Sequence, residues 1–160
     1  MRRTALALVL SLAGVVPVGI APALAAMSVE EAEAILFRTI DRNVDGHATP
    51  NEFENFRTLA FEAMDVDNDA RVTSDEWGAF DPGFLGIANE TGQLMELADA
   101  KDESFARYDT SGDGYLSNDE MTANLFRDFI AADADEDGRL TIEEHRETAL
   151  IRALSEALQQ

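Results

Sequence analysis

The sequence has no cysteine. That absence excludes a disulfide framework, a thiolate metal site and a lipid attached through a cysteine. Positive charge is scarce as well, with 12 Lys and Arg against 32 Asp and Glu, a net charge of −20. Phosphate contacts need Lys and Arg, so nucleic acid is excluded as a partner, and an anionic membrane surface with it. The two histidines, His47 and His145, stand in no arrangement with Ser that suggests a nucleophile, and enzymatic activity is not expected. What remains in excess is carboxylate. Nine phenylalanines at regular places argue that this acidic chain folds around a core.

The carboxylates are not scattered. The segment DTSGDGYLSNDE, Asp109 to Glu120, places Asp109, Ser111 and Asp113 two residues apart, then Gly114, then Tyr115, with Glu120 at the twelfth position. A loop that wraps one cation turns its odd positions inward. Positions 1, 3 and 5 give side-chain oxygens and position 7 gives a backbone carbonyl. Position 9 (here Ser117) acts directly or through water, and a Glu at position 12 closes the sphere with both oxygens. Position 6 needs a sharp turn that glycine makes at little cost.

The pattern recurs. Asp133, Asp135, Asp137, Arg139 and Glu144 repeat it with Gly138 and Thr141, and Asp41, Asn43, Asp45, His47 and Glu52 with Gly46 and Thr49. Asp65, Asp67, Asp69, Arg71 and Glu76 repeat it with Thr73, but with Ala70 at the turn. His47, Arg71, Tyr115 and Arg139 are expected to contribute carbonyls, not side chains. Four matches define an internal repeat. Carboxylate count, the turn residue and the position 8 side chain (Leu116 and Leu140 against the small Ala48) rank the fourth and third loops above the second and first.

These loops resemble those of the EF-hand superfamily, over about residues 29 to 158. The resemblance implies an all-α fold of four helix-loop-helix motifs, no catalytic residues, and Ca²⁺ as the bound ion, up to four per chain. Metal ions are the implied partners, with room for an unidentified protein target. The short inter-loop spacing is similar to that of the lanmodulin family, periplasmic rare-earth binders. That family has Pro at loop position 2, where this chain has Arg42, Val66, Thr110 and Ala134. It has Asp at position 9, where this chain has Thr or Ser. The missing carboxylate favours Ca²⁺ over a trivalent lanthanide, which stands as the alternative. Five methionines, Met1 among them, do not make the adaptable surface of a sensor, so buffering or Ca²⁺-dependent stability is favoured slightly over sensing.

Phe37, Phe61, Phe105 and Phe129 each stand four residues before a first Asp, followed by Ile40, Met64, Tyr108 and Ala132 just before it. This spacing puts them on one helical face, and the stripe reads as core. Phe53, Trp77 and Met121 follow the closing Glu in three motifs and read as core too. His145 holds that place in the fourth and breaks the pattern.

The residues between Glu52 and Asp65, and between Glu120 and Asp133, contain neither Gly nor Pro. Each stretch predicts one helix, about 50 to 64 and 118 to 132, that leaves one loop and enters the next. Sequential loops then sit at opposite ends of a shared helix and cannot pair. The stripes Phe53, Phe56, Leu59, Ala60, Met64 and Met121, Leu125, Phe129, Ala132 need cover, and antiparallel packing supplies it. The first loop then bridges the fourth, Ala48 to Leu140, and the second the third, Val72 to Leu116, in one compact domain. Residues 78 to 92 are rich in Gly and Pro and predict a turn-rich connector that packs, with Asn89 or Thr91 capping the next helix.

The N-terminus has a different character. Arg2 and Arg3 precede an apolar stretch broken by Pro17, then Ala23-Leu24-Ala25. This is the pattern of a secretory signal cleaved after residue 25. It predicts a periplasmic or secreted protein, with no membrane association after cleavage. The expected organisation is a signal peptide over 1–25 and a metal-binding domain over 26–160. Within that domain, unit one covers about 28–80, a connector about 81–90, and unit two about 91–158.

Overall fold

The computed structural model describes residues 27–159, so the predicted signal peptide lies outside the described residues. In chain order the elements are α1 Val29–Ile40, α2 Pro50–Met64, β1 Arg71–Thr73, α3 Ser74–Ala79, α4 Leu85–Thr91 and α5 Leu94–Tyr108. Then come β2 Tyr115–Ser117, α6 Asn118–Ala132, α7 Ile142–Arg146 and α8 Ala149–Ala157. None of these helices is long and apolar enough to cross a membrane.

The helix starts follow from local chemistry. Thr49, Thr73, Ser117 and Thr141 each accept the backbone N–H of the Glu three residues on, and that Glu carboxylate reaches back to the backbone N–H of the cap. Ser28 and Glu31 do the same at α1. Each reciprocal pair satisfies two donors that a helix end leaves open.

As the gaps predict, α2 and α6 are the shared helices. Their edge-to-face rings Phe53 and Phe129, with centroids 5.4 Å apart, join the start of one to the end of the other. The loops consequently pair across the chain. Strands β1 and β2 run antiparallel with Val72 opposite Leu116. Ala48 and Leu140 form a separate antiparallel bridge. All four bridge residues are fully buried. One core cluster includes Phe37, Phe61, Trp77, Phe105 and Phe129, and so takes side chains from both halves of the chain. A second unites Leu36 of α1, Phe84 and Ile87 at α4, Leu97 of α5 and Leu154 of α8.

Three details differ from the sequence reading, and a fourth lies outside it. The connector is not all turn: it holds α4, whose end at Gly92 takes the left-handed conformation that glycine allows, φ 80°. Neither Asn89 nor Thr91 caps α5, which begins after Gln93; the Thr91 hydroxyl donates to the Ile87 carbonyl inside α4. Leu59 is exposed, because the α2 stripe turns Arg57 inward in its place, where the guanidinium donates to Glu54 and Asn118. The helix leaving the fourth loop breaks after α7, and α8 folds onto α5. The buried Glu33 carboxylate on α1 spans that break, accepting from Arg146 Nε at 2.8 Å and from the Ser155 hydroxyl.

Candidate metal centres

The four loops share one internal scaffold. At position 1, Asp41, Asp65, Asp109 and Asp133 each accept the same two backbone N–H groups (Asp109 also accepts that of Gly112). One comes from position 5: Asp45, Asp69, Asp113 or Asp137, at 3.0–3.2 Å. The other comes from position 6: Gly46, Ala70, Gly114 or Gly138, at 2.9–3.0 Å. At position 5 each Asp in turn accepts the N–H of position 7, namely His47, Arg71, Tyr115 or Arg139. A carboxylate held this way is aimed by the backbone before any ion arrives, and it keeps lone pairs for one.

The closing Glu has two tasks. One oxygen of Glu52, Glu76, Glu120 and Glu144 accepts the N–H of the position 9 residue and its hydroxyl. The other reaches across the loop to the N–H of Arg42, Val66, Ser111 or Ala134. These donors, the position 9 N–H foremost, hold all four carboxyls below the usual Glu range, with Glu120 drawn down to about 2. They are ionised at any ordinary pH, so protons compete little with a cation there. The position 9 hydroxyls therefore act as helix caps. The signal for this role is present in the sequence as a recurring S/T-x-x-E.

The backbone at two loop positions is left-handed. Position 6 has φ between 81° and 87° at Gly46, Gly114 and Gly138, and 65° at Ala70. Position 4 is also left-handed in every loop: Val44 at 58°, Asn68 at 59°, Gly112 at 71° and Glu136 at 59°. Val44 bears a β-branched side chain, the least suited to that region.

The expected ligands converge to different degrees. Oxygens of Asp65, Asp67 and Glu76 lie within 4.8 Å of one another, and so do those of Asp133, Asp135 and Asp137. Among the described residues Asp41, Asp45 and Glu52 form no such group, nor do Asp109, Asp113 and Glu120. Each bridged pair thus contains one gathered loop, the second or the fourth, and one that has a neutral donor at position 3, Asn43 or Ser111. The position 7 side chains differ: Arg71 lies over the Tyr115 ring at 5.1 Å, whereas Arg139 pairs with the ligand carboxylate of Asp137 at 3.6 Å. The His47 ring lies near the Asp45 carbonyl, 3.3 Å from Nδ1. The donor set is hard oxygen throughout, and in the second and fourth loops the carboxylates converge, which fits a cation such as Ca²⁺.

His145 resolves as core. It is 2% exposed, with its ring 5.5 Å from Phe37 and 6.4 Å from Phe53, and burial pushes it down to about 4. Its Nδ1 has no hydrogen-bond partner.

The fold and these centres are those of a helix-loop-helix protein whose acidic loops suit a cation. The EF hand family model matches residues 56–81, 101–125 and 126–146, which contain the second, third and fourth loops and support placement in the EF-hand superfamily. The first loop lies outside those matches, though its hydrogen bonds reproduce the same scaffold. EF hands imply calcium binding. Comparison with curated proteins and with solved structures finds no match.

Proposed function

We propose that the protein is an exported Ca²⁺ binder that takes up to four ions, one in each loop, and serves as a buffer or a Ca²⁺-stabilised unit. The observation that carries this reading is the repeated scaffold: four all-oxygen loops, joined in two bridged pairs, each with its position 1 and position 12 carboxylates aimed by backbone amides. Seven-fold oxygen coordination with a bidentate Glu suits Ca²⁺, whereas Mg²⁺ requires a smaller octahedral shell. Export is supported by the Arg2-Arg3, apolar run and Ala23-Leu24-Ala25 order of the N-terminus. Where extracellular Ca²⁺ is plentiful, moderate affinity suffices.

Calorimetric titration of the chain from residue 26 with Ca²⁺, Mg²⁺ and La³⁺ tests the reading. Saturable Ca²⁺ binding that Mg²⁺ fails to displace is expected. Displacement of bound Ca²⁺ by equimolar La³⁺ would favour a lanthanide binder instead. Mass spectrometry of protein recovered outside the cytoplasm checks the cleavage after Ala25.

A further inference from the structure

The third motif contains a polar network that the other three lack. Asn124 on α6 is 1% exposed, and its Nδ2 donates to the Tyr108 carbonyl and to the Glu120 carbonyl, both at 2.8 Å. Tyr108 is the residue before Asp109, and Glu120 closes the loop. One amide therefore ties together the two ends of the twelve-residue loop. Two turns beyond Glu120 along the same face, the buried Asp128 accepts from the Tyr108 hydroxyl at 2.6 Å and from Arg107, again joining α6 to α5.

The matching positions elsewhere are filled otherwise. Where α6 has Asn124 the other motifs have Phe56, Phe80 and Thr148, and where it has Asp128 they have Ala60, Phe84 and Arg152. The Thr148 hydroxyl donates only to the His145 carbonyl in its own turn. Where Tyr108 ends α5 the others have Ile40, Met64 and Ala132. Packing alone does not require an amide at this place, because Phe56 and Phe80 serve in their motifs. Asn124 also leaves its own Oδ1 buried without a partner, a cost that an apolar side chain would not incur.

We propose that Asn124 and Asp128 are positioning residues for the third metal loop. They fix the separation of its ends before the ion arrives, so that a loop with only three carboxylates and an ungathered ligand set binds without first drawing its helices together. An ordering cost met in the fold is not charged against affinity. The inference rests on the calcium reading.

The scaffold supplies site-resolved reporters. The amides of Gly46, Ala70, Gly114 and Gly138 each donate to the first Asp of their own loop, so their NMR resonances follow the four sites separately. In Asn124→Leu the Ca²⁺ midpoint read at Gly114 should rise about tenfold, the equivalent of one lost hydrogen-bonded constraint, while those at Gly46 and Gly138 stay in place. An unchanged Gly114 midpoint overturns the inference, and so does an equal shift at all four amides, which would mark a general loss of stability. Silence of all four amides in the unsubstituted protein would defeat the calcium reading itself, and the inference with it. Should Asn124→Leu fail to fold, Tyr108→Phe severs only the contact to Asp128. A smaller rise at Gly114, with Gly46 and Gly138 in place, is then expected, and no rise counts against the proposal.

Discussion

Ala48 and Leu140 exchange both backbone hydrogen bonds, at 2.7 Å and 2.9 Å, although they belong to the first and last loops of the chain. An ion that orders the fourth loop therefore also orders the strand position of the first. The second and third loops are joined in the same way through Val72 and Leu116. Glu144→Gln should weaken Ca²⁺ binding at the first loop as well as the fourth, and leave the second and third largely unaffected. The same four amide resonances measure this. Losses shared instead between the third and fourth loops would show that coupling travels along α6 and not through the bridge.

This pairing was legible in the sequence because it follows from a length. A helix that fills the whole interval between two loops holds them about 18 Å apart, and antiparallel packing of two such helices leaves one way to pair the loops. The ligand register was legible for the same kind of reason, since period-two oxygens and a twelfth-position Glu have few other uses. Other features were hidden by context. Nothing local distinguishes Leu59 from a core residue, and only the packed partner shows that Arg57 takes the inner place. The break between α7 and α8 follows neither Gly nor Pro. It occurs where Thr148 turns its hydroxyl back on the His145 carbonyl, and α8 gains a place against α5 that a straight helix would miss. The capping role of Thr49, Thr73, Ser117 and Thr141 is written in S/T-x-x-E, but the same residues hold position 9 of the loop, so one pattern encodes two roles.

Calcium should stabilise the whole chain, not only its loops. Converging carboxylates in a chain of net charge −20 repel one another until a cation neutralises them. Binding to the folded form alone adds about 2.7 kcal/mol per site at a hundredfold excess over Kd. Helical circular dichroism and melting temperature should both rise on adding Ca²⁺ and fall again with a chelator. A chelated protein as helical and as heat-resistant as the loaded one would contradict the link between binding and folding.

Backbone strain is stored unevenly among the loops. Ala70 occupies at φ 65° the place where the other loops have glycine, and Val44 occupies a left-handed position at φ 58° with 77% of its surface exposed. An L side chain there costs about 1 kcal/mol or more. Ala70→Gly and Val44→Gly should each raise stability, by up to about 1 kcal/mol after the added freedom of glycine in the unfolded chain is deducted. Neither side chain is a ligand, so Ca²⁺ affinity of the altered loop should rise or hold. Urea unfolding of the two variants checks the sign, and a loss of stability in both would show that these turns relax at no cost.

His145 should give the protein a stability that depends on mild acid. Its ring is buried against Phe37 and Phe53, and burial, helped by the neighbouring Arg146 charge, holds it near 4, against about 6.5 in an unfolded chain. Between those values the unfolded chain takes up a proton that the folded chain refuses. Stability is therefore complete above about pH 6.5 and declines as pH falls towards 4. The closing glutamates act lower down: their depressed values in the folded state make stability fall only below about pH 4.5. Measured in chelator from about pH 7 to 4.5, the loss should be on the order of 2 kcal/mol. Met121 occupies the same place in the third motif, so His145→Met is a fitting replacement that cannot take the proton. In that variant the decline over this interval should largely disappear, with stability at neutral pH kept or raised because the unpartnered ring nitrogen is gone. A decline of equal slope in both proteins would assign the acid sensitivity to a group other than His145.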